Sequence, residues 1–118
     1  MNDAASLDDC LFCRIAAGEI PSTTVLQTDT VVAFRDIAPE APTHVLVVPR
    51  AHHVDVSAVA KASPELLAEM IDVAQRVADA ECGGQFRLVF NVGPEAGQTV
   101  EHAHAHVLGG APMGRVLP

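Results

Sequence analysis

Three of the six histidines in the chain fall at alternate positions of EHAHAHVLGG, residues 101–110: His102, His104 and His106. A neutral imidazole is a nucleophile near pH 7 without prior activation, and the same ring can ligate a metal. Immediately upstream lies a glycine-rich loop, GPEAGQT, residues 93–99. Glycine lets backbone N–H groups converge, so Gly97, Gln98 and Thr99 can offer amides and a hydroxyl to an anion. An anion nest beside a row of imidazoles suits phosphate chemistry. The plainer alternatives are a histidine-rich metal tract or a solvated strand face. A second group is Cys10-x-x-Cys13, which by itself reads as a metal half-site, a redox pair or two incidental thiols. Asp36 ends an apolar run and, taken alone, serves a turn as readily as a ligand.

The row of histidines needs an element that points alternate residues the same way. A β-strand does this, with successive histidine Cα atoms roughly 7 Å apart, whereas a helix would scatter them. Alanine is a poor strand former, so sheet pairing must hold residues 102–108 extended, with Ala103 and Ala105 small enough to admit a helix on the opposite face. Other strands are expected at 23–28, 31–37, 44–49 and 85–92, the first two as a hairpin around the turn at 28–30. One or two helical turns are expected in CLFCRIAAGEIP, 10–21, stopped by Gly18 and Pro21. The long helix is SPELLAEMIDVAQRVADAECGG, with Ser63 as cap, Pro64 in the first turn and Gly83 beyond the end. Cys82 reads as a buried residue at that helix end. The order β-β-β-α-β-loop-β predicts an α+β domain, an antiparallel sheet covered by one long helix. Residues 1–9 read as a flexible N-terminal tail and 10–118 as a single domain.

The bulk properties narrow the function classes. With 118 residues, 49% of them apolar, the chain can build one core. A net charge of −8 disfavours nucleic-acid binding through a basic face. No apolar run approaches the roughly 18 residues of a membrane span. Three cysteines, an odd number, argue against a disulfide framework. The acidic N-terminal stretch lacks the basic and apolar regions of a secretory signal, which makes the cytoplasm the expected location.

QTVEHAHAHVLGG resembles the signature of the histidine triad (HIT) family, in which three histidines alternate with mostly apolar residues. CLFCRIAAGEIP, VVAFRDIAPEAPTHVLVVPRAH and the segment from Asn91 to Gln98 are similar to the nucleotide-binding HINT branch, in the same order, so the resemblance spans about residues 10–110. It implies the HIT fold: a five-stranded antiparallel sheet, one long helix and a short N-terminal helix. It implies a hydrolase acting at the α-phosphorus of purine nucleoside 5′-phosphoramidates or related conjugates. By this resemblance His104 is the nucleophile, held in one tautomer by the His102 carbonyl. His106 contacts phosphate, and Thr99, where serine is common, hydrogen-bonds or relays a proton to the leaving group. Asn91, Gly97, Gln98 and Thr99 match phosphate-contacting positions, and Asp36 the acceptor for ribose hydroxyls. Phe12, Ile15, Ile20, Phe34 and Ile37 match the apolar wall around a purine, and His44 a further histidine near the site.

Cys10, Cys13, His52 and His102 match a structural zinc site found in some bacterial members, leaving His53 as an exposed neighbour. A homodimer is implied, and no redox cofactor. The chain departs from the family pattern at Glu101, at Ala103 and Ala105, which replace bulkier residues, and in PMGRVLP, which replaces a Trp-Pro-Pro ending. The rival readings are a dinucleoside-polyphosphate hydrolase of the same fold, a nucleotide- or partner-binding module with little turnover, and a zinc protein whose histidines serve only the metal. The third histidine argues against the transferase branch, which usually has glutamine there.

Overall fold

A computed structural model describes residues 9–115. The expected tail therefore falls, apart from Asp9, outside the described residues, as does the end of PMGRVLP. The elements follow in the order α1 (Leu11–Ala16), β1 (Thr24–Gln27), β2 (Val31–Arg35), β3 (Thr43–Pro49), α2 (Val56–Ala62), α3 (Pro64–Cys82), β4 (Phe86–Phe90), a 3-10 turn (Pro94–Ala96) and β5 (Ala105–Gly109). The five strands form one antiparallel sheet in the order β1-β2-β3-β5-β4. The α+β expectation holds, with its five strands, long helix and short N-terminal helix.

Helix α3 starts and stops where its sequence dictates. The Ser63 side chain accepts from the Leu66 N–H, proline opens the first turn, and Gly83 takes a left-handed conformation with φ of 64° as C-cap. Its apolar stripe, Met70, Val73, Ala74, Val77 and Ala78, packs on Val31, Ala33, Val45, Val47, Ala103, Ala105 and Val107 of the sheet. Met70 is wholly buried, so Met70→Ala would cost about 2–5 kcal/mol. The opposite sheet face carries Val32, Phe34, Leu46 and Val48, covered by Cys10, Phe12 and Ile15 of the N-terminal segment. Strands β2 and β3 are thus buried on both sides, which explains their unbroken apolar runs.

The structure departs from the expectations at four points. Helix α2 was not anticipated; its signal is Asp55, whose side chain caps the Ala58 N–H. The final strand begins at Ala105 rather than His102, so His102 and His104 lie on the approach to it. The alternation survives without the ladder. Ala103, Ala105 and Val107 enter the core under α3, and the histidines point the other way. Ala103 is held by donating its N–H to the His53 carbonyl at 2.7 Å. His53 itself is half-buried rather than exposed, and Cys82 is partly rather than fully buried.

Candidate active site and metal site

The catalytic candidates gather on the α1-facing side of the sheet. His104 is buried, with Nδ1 2.8 Å from the His102 carbonyl. A carbonyl only accepts, so Nδ1 carries the proton and Nε2 keeps its lone pair. The His104 ring is clamped edge-on by Phe12 (centroids 5.0 Å apart) and lies 5.1 Å from the His106 ring. Both histidines open onto a cavity of about 590 Å3 lined also by Phe12, Ile15, Phe34, Asp36, Ile37 and Thr99. Its size and mixed lining suit a mononucleotide-sized ligand.

His106 stands opposite Leu46 in the β3–β5 ladder. Burial lowers its pKa below the ordinary histidine value; nearby His104 and His44 act in the same direction, and Asp36 and Glu40 oppose. It is therefore neutral near pH 7. Asp36 follows β2, with Oδ1 accepting the Ala38 N–H at 2.8 Å and Oδ2 3.4 Å from His44 Nε2. The aspartate serves a turn and faces the cavity as well.

The remaining expected contacts divide. Thr99 is exposed on the cavity wall. Ile37 lines the cavity but is fully exposed. Ile20 does not line it, nor do Asn91, Gly97 and Gln98. The Gly97 and Gln98 N–H groups donate to Pro94 and Gly93 within the loop, so they form no open nest. The Gln98 amide accepts from the Gly93 N–H and donates to the Val54 and Val100 carbonyls. Gly97 has φ of 101°, and a Cβ there would meet Asn91 at 3.7 Å. These residues build the loop that delivers Thr99 and lie behind the wall. The sequence reading missed Leu11, Leu46, Ser22, Thr23 and Val100 as lining residues. Strand alternation in HVLVVP was the available signal for Leu46, which shares the face of His44.

Cys10, Cys13, His52 and His102 offer ligand atoms that all lie within 4.8 Å of one another. His102 donates Nε2–H to the Pro49 carbonyl at 2.7 Å, leaving Nδ1 bare 3.3 Å from Cys10 Sγ and 3.5 Å from Cys13 Sγ. His52 Nδ1 is 3.4 Å from Cys13 Sγ. A tetrahedral zinc with Zn–S near 2.3 Å and Zn–N near 2.05 Å has an S···N edge of roughly 3.6 Å, so the four residues fit a closed site. Burial, followed by the hydrogen bond and charge of Cys10, pushes the Cys13 thiol up to about 12; a cation would reverse that preference. Burial holds His102 near 4, neutral and able to ligate. The cluster can hold a metal ion.

The HIT domain family model matches residues 17–113, and the chain belongs to the HIT family. It is 41% identical over 112 residues to the purine nucleoside phosphoramidase of Escherichia coli, covering 93% of this chain and 94% of that protein. It is 43% identical over 107 residues to an uncharacterised HIT-like protein of Synechocystis, covering 90% and 94%. Among solved structures, a HIT family hydrolase from Clostridium thermocellum superposes with a TM-score of 0.87 at 37% identity, covering 94% of this chain and 98% of that one. One from Legionella pneumophila gives 0.85 at 46% identity, covering 90% and 96%.

Proposed function

We propose that the protein hydrolyses purine nucleoside 5′-phosphoramidates or related nucleotide conjugates at the α-phosphorus. The observation that carries this reading is the bare Nε2 of His104, a cavity-lining ring whose Nδ1–H is held by the His102 carbonyl. Nε2 attacks phosphorus, the P–N bond breaks as the departing nitrogen takes up a solvent proton relayed through the Thr99 hydroxyl, and the free amine leaves a nucleotidyl-histidine; water then hydrolyses this to the nucleotide and returns the histidine. His106 donates to a non-bridging phosphoryl oxygen, where charge grows in the transition state. The Thr99 hydroxyl stands on the wall for the leaving group. Asp36 accepts from ribose hydroxyls, and Phe12, Ile15, Phe34 and Ile37 flank the base. Asn91, Gly97 and Gln98 act by shaping the loop behind Thr99. This chemistry calls for no redox cofactor.

Zinc is the proposed occupant of the Cys10, Cys13, His52 and His102 cluster, where it would fasten the N-terminal segment to the triad strand. A pair of free thiols in such a cluster suits a reducing cytoplasm. We take residues 10–118 as one domain that works as a homodimer. Supporting this, β4 is an edge of the sheet among the described residues, and its five residues are all half-buried, a form of edge that a second copy can extend.

Rapid-quench intact-mass analysis with adenosine 5′-phosphoramidate tests the mechanism. A nucleotidyl adduct on His104 with release of AMP is expected; absence of both removes the hydrolase reading. Faster turnover of diadenosine polyphosphates than of phosphoramidates would move the substrate class instead.

A further inference from the structure

His44 is a buried polar residue that the mechanism above does not use. It lies on β3 opposite Leu108, one diagonal step from His106 on the same face. Only 4% of it is exposed. Its Nδ1 accepts the Glu40 backbone N–H at 3.0 Å. An amide nitrogen only donates, so the Nδ1 lone pair is occupied and the proton of a neutral ring must sit on Nε2. That Nε2 lies 3.0 Å from His106 Nδ1 and 3.4 Å from Asp36 Oδ2, both able to accept.

Two ring nitrogens 3.0 Å apart hold one proton between them. With Nε2–H of His44 as donor, His106 Nδ1 accepts and the His106 proton is placed on Nε2. We propose that His44 is a positioning residue that locks His106 into the Nε2–H tautomer, so that it meets an anionic phosphoryl oxygen as a hydrogen-bond donor. The order originates in a backbone amide: Glu40 N–H sets His44, and His44 sets His106. Two neighbouring imidazoles, His104 and His106, are thereby held in opposite tautomers. His104 is protonated at Nδ1 and keeps a lone pair on Nε2; His106 is protonated at Nε2. The wrong tautomer at His106 would turn a lone pair toward the phosphoryl oxygen and repel it. The groups facing the pair are Asp36, Glu40 and His104. The carboxylate of Asp36 also favours a donor on His44 Nε2.

The activity readout rests on the hydrolase reading, but the tautomer does not. Long-range 1H–15N correlation NMR of the ligand-free protein at neutral pH reads the protonated nitrogen of each histidine. His106 is expected to show a protonated Nε2 and a bare Nδ1. His44→Phe keeps ring bulk without a donor and is expected to give a mixture of His106 tautomers. With adenosine 5′-phosphoramidate it should lower kcat about tenfold, with a smaller change in KM. His44→Gln places amide hydrogens near the Nε2 position and is expected to recover the tautomer and most of kcat. A proton on His106 Nδ1 in the wild-type protein would overturn the proposal, as would a Phe variant with an unshifted tautomer or a Gln variant no better than Phe. If His44→Phe does not fold, the wild-type spectrum and the Gln variant still decide. A protein with the expected tautomer but no nucleotidyl adduct would sink the hydrolase reading and leave this one standing.

Discussion

At the scale of single residues, the site assigns different roles to like side chains through the partners of their second nitrogens. The His102 ring gives Nε2–H to Pro49 and turns a bare Nδ1 to the Cys10 and Cys13 sulfurs; His104 gives Nδ1–H to a carbonyl and keeps the lone pair on Nε2. His104→Ala should therefore reduce nucleotide hydrolysis by at least about a thousandfold while the fold and metal content persist. Steady-state kinetics beside elemental analysis checks this; metal loss on changing His104 would instead favour a triad that serves only the metal. His106 should titrate below the ordinary histidine pKa of about 6.5 because it is buried. The unfolded chain then binds this proton at a higher pH than the native one, so the contribution of His106 to stability is intact above about pH 6.5 and is lost as pH falls below it. An NMR titration of the His106 ring with a midpoint at or above 6.5 would contradict the burial argument.

At the scale of elements, the segment 102–107 depends on strict alternation between chemistry and core. Histidines face α1 and the cavity, while Ala103, Ala105 and Val107 lie under α3. A one-residue deletion here would exchange the two sets and place imidazoles in the core. Ala105→Leu should overpack the contact with α3 and cost about 1–3 kcal/mol in chemical denaturation, whereas Glu101, exposed at the loop end, should tolerate alanine within about 0.5 kcal/mol. The shared face of the three histidines was legible from spacing alone, as were the cap and stop of α3. The start of the final strand at Ala105 was not legible, because the Ala103 N–H finds its partner in the His53 carbonyl, a contact made only in the fold. Gln98 shows the same limit: its place in the chain suggests a phosphate contact, yet its amide is occupied by Gly93, Val54 and Val100. Helix α2 escaped because seven residues give too short an apolar period to read, although Asp55 marks its start.

At the scale of the whole molecule, the sheet separates two tasks. One face is a packing surface for α3, and the other carries the candidate metal cluster, His104 and the cavity. No helix among the described residues is long and apolar enough to cross a membrane. Cys13→Ser should lower metal content and shift thermal unfolding downward by several degrees; an unchanged metal content would exclude Cys13 as a ligand. Helix α1 joins the two ends of the functional face. Within the six residues from Cys10 to Ile15 the segment supplies Cys10 and Cys13 to the candidate metal cluster and Phe12 and Ile15 to the cavity wall. If the proposed metal binds at one end and orders the other, thermodynamics makes the influence mutual. Whatever factor the metal adds to nucleotide affinity, the nucleotide must return to metal affinity. Calorimetric titrations run in both orders should yield the same factor; where that factor exceeds one, a cell short of metal would hold the nucleotide less firmly, and a cell rich in the nucleotide would strip the metal less easily.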